Sequence, residues 1–242
     1  MLWALVSAKG SPGLTTLAAA MAVGGEALVA ELDPAGGDLA ARAQVAHEPP
    51  GLMSLAAVAR RGLAPDMVGE QVRTVGPGIP VLFGPPDAVR ATAALTALGA
   101  ELGRALPRLG GDVLADCGRW GPSSPTAEIL AAAVTTVVVL RAEPDQVAHV
   151  HAVLPAMRTL SSDVVVVAVA RRHFRPVDDI ARLLGIDVVG VVEHDADSAT
   201  GLARATGVQA VRRNALVRSA ATILDALRHR SARVRPELGV VR

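Results

Sequence analysis

Short apolar runs alternate with longer segments of helical spacing along most of the chain. The runs are continuous and often β-branched, which is typical of strands that are buried on both faces of a parallel sheet. They lie at 2–6, 27–32, 78–83, 113–118, 135–140, 164–170 and 187–192. Alanine- and leucine-rich segments between them predict helices, the longest at 87–106, 144–157 and 214–228. This alternation, without a clear hairpin turn, predicts an α/β fold with a single doubly wound, mostly parallel sheet.

The length of the chain, 242 residues, suits one such domain, and no low-complexity linker divides it. We expect the domain to cover 1–230, followed by a basic tail at 231–242. The apolar runs are too short to span a bilayer, and the first residues show no leader pattern. The single cysteine, Cys117, fits a reducing compartment, so we expect a cytoplasmic protein.

The segment 2–16 joins a predicted strand to a glycine turn and a helix start. Gly10, Pro12 and Gly13 form the turn, and Thr15 and Thr16 follow it. Such a segment aims backbone N–H groups and the positive end of the helix dipole at one point, which suits a phosphate group.

The turn departs from the ordinary phosphate-loop pattern, G-x-x-x-x-G-K-[ST], at one position. Leu14 stands where that pattern has lysine. Lys9 is the only lysine in a chain with 24 basic residues, which favours a role for its compact ammonium group; a leftover surface lysine is the alternative.

Two later strands end in aspartates. Asp33 follows the run 27–32, and Asp116 lies in 113–118 just before Gly118. The carboxyl ends of parallel strands share one edge of a sheet, and Mg²⁺ prefers hydroxyl, carboxylate and phosphate oxygens. Thr15, Asp33 and Asp116 are therefore candidate metal ligands. Asp33 has an alternative role, in which it starts a turn and caps the helix that begins near Asp38.

These segments resemble three motifs of the MinD/ParA family of P-loop ATPases. Residues 9–16 are similar to the deviant Walker A motif K-G-G-x-G-K-T-T, with Leu14 in place of its second lysine. Residues 31–37 resemble the switch I segment D-x-D-P-x-G-N, with Glu31 in place of its first aspartate. Residues 113–118 resemble the Walker B strand, which ends in D-C-P-P or D-x-x-x-G.

The resemblance implies binding of ATP or ADP with Mg²⁺. Asp33 would orient the attacking water or a metal-bound water, and Lys9 would reach across a homodimer to the phosphates of the partner. The nucleotide phosphates would contact the following residues: Gly10, Ser11, Pro12, Gly13, Leu14, Thr15, Thr16 and Gly118. The lysine that neutralises the β- and γ-phosphates in cis is missing at Leu14, so we expect weakened or lost hydrolysis.

The family resemblance also implies a biological role. It predicts a dimerising switch that positions cargo, such as a chromosome, a septum, or a pilus or secretion machine, through an unidentified protein partner. A first alternative is a non-hydrolysing scaffold, as in the CpaE/TadZ-like branch associated with pilus assembly. A second is an NAD-dependent oxidoreductase, because strand, glycine loop, helix, strand and acid also describe a Rossmann unit. Residues 10–13 do not fit G-x-G-x-x-G, and the chain lacks tyrosine.

Two further segments correspond to the family's base-binding region. Residues 170–173 read Ala-Arg-Arg-His where the family carries an asparagine. Residues 190–195 resemble a G-V-I-P-E-D strand end without its proline. Glu193 and His194 are candidates to face the base, and a solvated loop is the alternative.

Arginines near the C-terminus are candidates for non-specific DNA binding. A net charge of +1 gives no global attraction to nucleic acid, so any binding must come from a local patch. A solvated basic surface is the alternative. Pro236 and Gly239 make 231–242 a poor helix, so we predict no membrane anchor. The candidate patch comprises Arg212, Arg213, Arg218, Arg228, Arg230, Arg233 and Arg235.

Overall fold

The apolar runs form the strands of one sheet in the computed structural model, which describes residues 1–10, 12–45, 49–59, 62–171, 177–204 and 211–234. Their order across the sheet is β3-β4-β2-β5-β1-β6-β7-β8. The strands are β1 (Leu2–Ser7), β2 (Leu28–Glu31), β3 (Arg73–Val75), β4 (Ile79–Leu82), β5 (Val113–Arg119), β6 (Thr135–Arg141), β7 (Val164–Ala170) and β8 (Val188–Glu193).

The pairing confirms a mostly parallel sheet but adds one hairpin. β1 pairs in parallel with β5 on one side and with β6 on the other, so the first strand is central. β3 pairs with β4 in antiparallel orientation. No hairpin turn is visible in the sequence at this point, because β3 is only three residues long and largely exposed, so its apolar pattern carries no strand signal.

Helices cover both faces of the sheet. The helices are α1 (Leu14–Gly25), α2 (Leu39–Arg42), α3 (Leu52–Val58), α4 (Pro65–Glu70), α5 (Ala88–Ala105), α6 (Ala127–Ala132), α7 (Pro144–Leu160), α8 (Val177–Leu184), α9 (Ala196–Arg204) and α10 (Ala215–Val234). Some of the helices are short, such as α3 and α4, which lie between β2 and β3 in the chain.

Each face has its own apolar cluster, as in a doubly wound fold. Leu98 of α5 and Leu154 of α7 belong to one cluster, which includes alternate residues of the strands. Met21 of α1 and Leu224 of α10 belong to the other. The alternation follows from the period of two along a strand. The predicted fold class is confirmed.

The last helix continues past the predicted domain boundary at residue 230. It runs to Val234, and Ser231 is buried. The poor helix expected from residue 231 onward is therefore wrong for these first residues, which extend α10 by a further turn. The rest of the predicted tail, 235–242, lies outside the described residues.

Candidate functional site

The turn between β1 and α1 lies at the carboxyl edge of the sheet. Gly10 and Gly13 have φ values of +70° and +93°, which glycine adopts without strain. A Cβ atom on Gly10 would lie 3.1 Å from the Nε2 atom of Gln146. Gly13 is the N-cap residue of α1 and offers no side-chain acceptor to the first N–H groups of the helix. The turn thus presents an N-terminal helix end that suits an anion.

Leu14 lies in the core rather than in the turn. Its side chain is 6% exposed and belongs to the apolar cluster on the α1 face. Leu14, which stands where the phosphate-loop pattern has lysine, therefore contributes packing and no charge. Lys9 is half-buried at the start of the turn, and Ser11 lies outside the described residues.

The structure also places a basic side chain beside the start of α1 that the motifs did not suggest. Arg42 of α2 donates a hydrogen bond of 3.2 Å from its Nη1 atom to the Thr16 hydroxyl. It also pairs with Asp38 at 2.9 Å. No motif pointed to Arg42, because this contact depends on how α2 packs beside α1.

Asp116 is the most buried acid of the site, at 1% exposure. Its Oδ1 atom accepts a hydrogen bond of 3.1 Å from the Gly118 N–H, and its Oδ2 atom has no partner among the described residues. Burial raises the pKa of Asp116 to about 7; the Thr15 hydroxyl and the Gly118 N–H lower it, and the charges of Asp33 and Glu31 raise it. Thr15, Asp33 and Asp116, predicted from three separate motifs, therefore lie close together.

Asp33 forms the predicted turn and also faces the site. Its Oδ1 atom accepts a hydrogen bond of 2.8 Å from the Ala35 N–H. Its carboxyl group lies against Gly118, where a Cβ atom would overlap it. Burial raises the pKa of Asp33, opposed by the Ala35 N–H and assisted by the charge of Asp38. The turn that Asp33 was expected to start is therefore present without helix capping, and its role toward water or a metal ion stays a prediction.

Glu31 caps α2 instead of Asp33. Its Oε1 atom accepts hydrogen bonds from the N–H groups of Asp38 and Leu39 at 2.6 and 2.8 Å. Its Oε2 atom accepts one from the Gly84 N–H at 3.2 Å. Burial raises the pKa of Glu31, although these three hydrogen bonds lower it in part. Sequence reasoning assigned Glu31 no structural role, because Gly84 is distant along the chain.

The oxygen atoms around Asp116 fit Mg²⁺. They comprise two carboxylates and the Thr15 hydroxyl, which are hard ligands of the kind that this ion takes. The buried Oδ2 atom without a partner is the feature that a cation would satisfy. Across the described ranges, no three His, Cys, Asp or Glu side chains are grouped to hold a metal by themselves.

Cys117 lies between Asp116 and Gly118 on β5. Its side chain is fully buried in the cluster on the other face of the sheet. Burial raises the pKa of its thiol well above the usual value, and the charge of Asp116 adds to this effect. The thiol is therefore neutral and does not belong to the acidic site.

A cavity of about 120 Å³ continues from the turn toward β8. Gly13 and Thr16 line one side, and Glu193 and His194 line the other. The predicted base-binding strand end therefore borders the same cavity as the turn. A second opening of about 630 Å³ is lined by Arg141, Arg171 and His194. No motif suggested Arg141, and residues 172–173 of the other predicted base segment lie outside the described residues.

Several arginines of the predicted basic patch are held in ion pairs. Arg212 pairs with Glu26 at 2.7 Å, Arg228 with Asp112 at 2.7 Å, and Arg230 with Asp163 at 2.8 Å. These contacts reduce the charge that the patch offers to DNA phosphates, and DNA binding stays a prediction. Arg235 lies outside the described residues. In the part of the chain that the structure describes, no helix is both long enough and apolar enough to cross a membrane.

Comparison with solved structures gives a consistent set of neighbours. A ParA family ATPase from Chlorobium tepidum TLS superposes with a TM-score of 0.75 at 15% identity, over 93% of this chain and 98% of its own. MinD in complex with Mg-ADP from Pyrococcus horikoshii OT3 gives 0.72 at 15% identity, over 98% and 99%. A MinC:MinD cell division protein complex from Aquifex aeolicus gives 0.64 at 14% identity, over 100% and 98%.

Sequence comparison alone finds no relationship, since no family model and no curated protein matches the chain. At such low identity the similarity concerns the course of the backbone. It covers nearly the full length of both chains in each case. The chain therefore has the fold of these MinD and ParA-family structures.

Proposed function

We propose that the protein is a MinD/ParA-like nucleotide-binding switch or scaffold, which dimerises and positions cellular cargo through a protein partner. The observation that carries the proposal is the buried Asp116 Oδ2 atom, which has no partner among the described residues and lies near Thr15 and Asp33 at the start of α1. Such a group suits Mg²⁺ beside a phosphate chain. The proposed ligands are ATP or ADP with Mg²⁺.

The residues of the site have separate proposed roles. The N–H groups of the turn and of the first residues of α1 bind phosphate oxygens. Thr15, Asp33 and Asp116 hold the metal ion, directly or through water, and Asp33 orients water at its carboxylate. When bound, Mg²⁺ supplies positive charge to the phosphates. Lys9 is assigned the contact with the phosphates of a second copy of the chain.

Two of the similar structures support nucleotide and partner binding. One of them is a MinD complexed with Mg-ADP, and another is a complex of MinC with MinD. Nucleotide binding and a separate protein partner are therefore part of the proposal for this chain. The homodimer is proposed on the resemblance of Lys9 to the lysine that contacts the phosphates of a partner. The cargo classes under consideration are a chromosome, a septum, and a pilus or secretion machine.

Leu14 favours a second candidate, a scaffold that binds nucleotide without hydrolysing it. Its buried side chain brings no charge to the phosphates, and electrostatic stabilisation is the largest contribution of most such sites. We therefore expect hydrolysis to be weak or absent, while the fold and dimer geometry are retained.

The strand order disfavours the NAD-dependent alternative. In the usual dinucleotide fold, the first two strands are neighbours in the sheet. Here β5 lies between β1 and β2 and carries Asp116 to the glycine turn. An oxidoreductase would leave this buried carboxyl without a role.

The test is calorimetric titration with Mg-ADP and Mg-ATP, together with a phosphate-release assay and the mass of the protein with and without ATP. We expect magnesium-dependent binding that Asp116→Asn removes and that Asp66→Asn, at an exposed position on α4, retains. The absence of nucleotide binding in the unmodified protein would overturn the proposal.

Leu14→Lys distinguishes the switch from the scaffold. The lysine stem can pack where Leu14 packs, and its greater length carries the ammonium group out toward the turn. ATP binding should then tighten about tenfold or more, because hydrogen bonds to charged groups contribute about 1.5–3 kcal/mol. Leu14→Met is the matched control, since it keeps a long apolar side chain without the charge. Equal affinity in the two variants would contradict the assigned role of position 14.

A further inference from the structure

The loop that carries Asp33 is hydrogen-bonded to α5 and to the connection that precedes it from β4. Besides the three hydrogen bonds that the Glu31 carboxyl accepts, the Gly37 N–H donates to the Pro85 carbonyl at 2.8 Å. The Thr92 hydroxyl of α5 donates to the Pro34 carbonyl at 3.3 Å. Glu31 is 2% exposed and is the one side chain that bonds both segments among these contacts.

Gly37 leaves the space that the Glu31 carboxyl occupies. A Cβ atom at residue 37 would overlap this carboxyl, and the three nearest heavy atoms all belong to it. Gly37 is not among the glycines with positive φ, so its backbone would accept another residue. The obstacle to a side chain at residue 37 is therefore Glu31 itself.

Gly36 is restricted for a different reason. Its φ is +110°, and a Cβ atom would lie 2.6 Å from the Pro86 carbonyl oxygen. Backbone conformation and a backbone neighbour both exclude a side chain there. Gly36 thus provides a control for Gly37.

Residues 31 and 37 are also two positions at which the segment departs from D-x-D-P-x-G-N. Glutamate has one more methylene group than aspartate and reaches about 1.5 Å further. The added length at residue 31 fills the volume that the absent side chain leaves at residue 37. We propose that Glu31 and Gly37 are a complementary pair that fixes the loop 33–38 and thereby positions Asp33 beside Gly118. Glu31 is a positioning residue, and its effect on Mg²⁺ and nucleotide rests on the proposed function.

The test is a double-mutant cycle with Glu31→Asp, Gly37→Asn and the two together. Amide hydrogen exchange at Asp38, Leu39 and Gly84 reports the bonds to residue 31 directly. Each single variant should speed exchange about tenfold or more, because it shortens or displaces the acceptor. The double variant should return to within about threefold of the original rates, since the side-chain oxygen of the introduced asparagine can accept the backbone N–H groups that the shorter carboxylate no longer reaches, while its amide donates to that carboxylate.

Gly36→Asn, alone and with Glu31→Asp, is the control pair. The loss of exchange protection caused by Gly36→Asn should not be recovered when Glu31→Asp is added. Shortening residue 31 leaves both the positive φ of residue 36 and the Pro86 carbonyl in place. If the effects of Glu31→Asp and Gly37→Asn simply add in the double variant, the complementary pair is refuted.

A second readout separates positioning from mere support of the fold. The Mg²⁺ concentration that half-saturates binding of a fluorescent ADP should rise about threefold or more in each single variant and return in the double variant. Binding of ADP without metal should not change. The positioning of Asp33 would be refuted if the double variant restores hydrogen exchange but none of the variants changes the half-saturating Mg²⁺ concentration. If the unmodified protein binds no ADP, both the proposed function and the positioning of Asp33 for the metal are refuted. The hydrogen-exchange measurements still decide whether Glu31 and Gly37 are a complementary pair.

Discussion

The two ends of the sheet hold buried carboxyl groups in opposite ways. At the amino end, Asp112 is bound by Arg228 of α10, and Asp163 is bound by Arg230 of the same helix. At the carboxyl end, burial raises the pKa values of three acids near the glycine turn. These acids are Glu31, Asp33 and Asp116, and none takes part in an ion pair among the described residues.

The difference distinguishes acids that stabilise the fold from acids that can bind a ligand. Although burial by itself raises the pKa of Asp112, hydrogen bonds from Arg228 and Trp3 outweigh it and lower the pKa. The charged form is thus satisfied within the chain. Asp116 has only neutral donors and two acidic neighbours, so its charged form requires a cation from outside.

The largest effect is expected from breaking the amino-end network with Arg230→Ala. The guanidinium contacts both oxygens of Asp163 at 2.8–3.0 Å and Asp187 at 2.6 Å. Removal leaves a carboxyl that is 10% exposed with only the Thr135 hydroxyl, at 2.9 Å, as a described side-chain donor. The free energy of unfolding should fall by about 3 kcal/mol, as measured by urea denaturation. A loss below about 0.5 kcal/mol would contradict the role of this network.

An intermediate effect on the free energy of unfolding is expected from Asp116→Asn, and this effect depends on pH. The folded state holds the Asp116 proton up to a pH of about 7, whereas the unfolded chain releases it near its usual pKa of 3.8. The folded state therefore binds more protons between these values, and the free energy of unfolding falls as pH rises through this window.

We expect the metal-free protein to lose about 2 kcal/mol of stability between about pH 5 and about pH 8. Urea midpoints across this range give the profile, and Asp116→Asn should flatten it. Asp66→Asn is the control and should leave the slope as it is. A profile that rises with pH in the unmodified protein would exclude the raised pKa.

The smallest effect is expected from Arg212→Ala. Arg212 and its partner Glu26 are 49% and 79% exposed, so water screens their attraction. The free energy of unfolding should change by less than about 0.5 kcal/mol, and moderate salt should remove even this difference. A loss as large as that of Arg230→Ala would show that burial does not distinguish the two ion pairs.

The sequence was sufficient for most of the fold. Buried parallel strands such as 164–170 are continuous β-branched runs, which local pattern detects well. β3 was missed because a short exposed strand is held by its hairpin partner β4 rather than by an apolar pattern. The end of α10 was placed too early, because Ser231 is buried by tertiary contacts that composition does not reveal.

The candidate site was predictable where one strand end supplies one residue. Thr15, Asp33 and Asp116 follow from three motifs and the shared edge of a parallel sheet. The contacts of Glu31 and Arg230 could not be predicted, because their partners Gly84 and Asp163 lie 53 and 67 residues away along the chain. The interpretation of Leu14 as the position of a missing lysine stays a prediction, and only the packing shows that its side chain lies in the core.

Cys117 gives the protein an internal reporter of how often its centre opens. The thiol is fully buried on the strand that carries Asp116, and its pKa is raised, so a labelling reagent reacts only after β5 separates locally from its neighbours. It is the only cysteine in the chain. The rate of thiol labelling would therefore measure, without any engineered probe, whether a ligand at the acidic edge tightens the middle of the sheet.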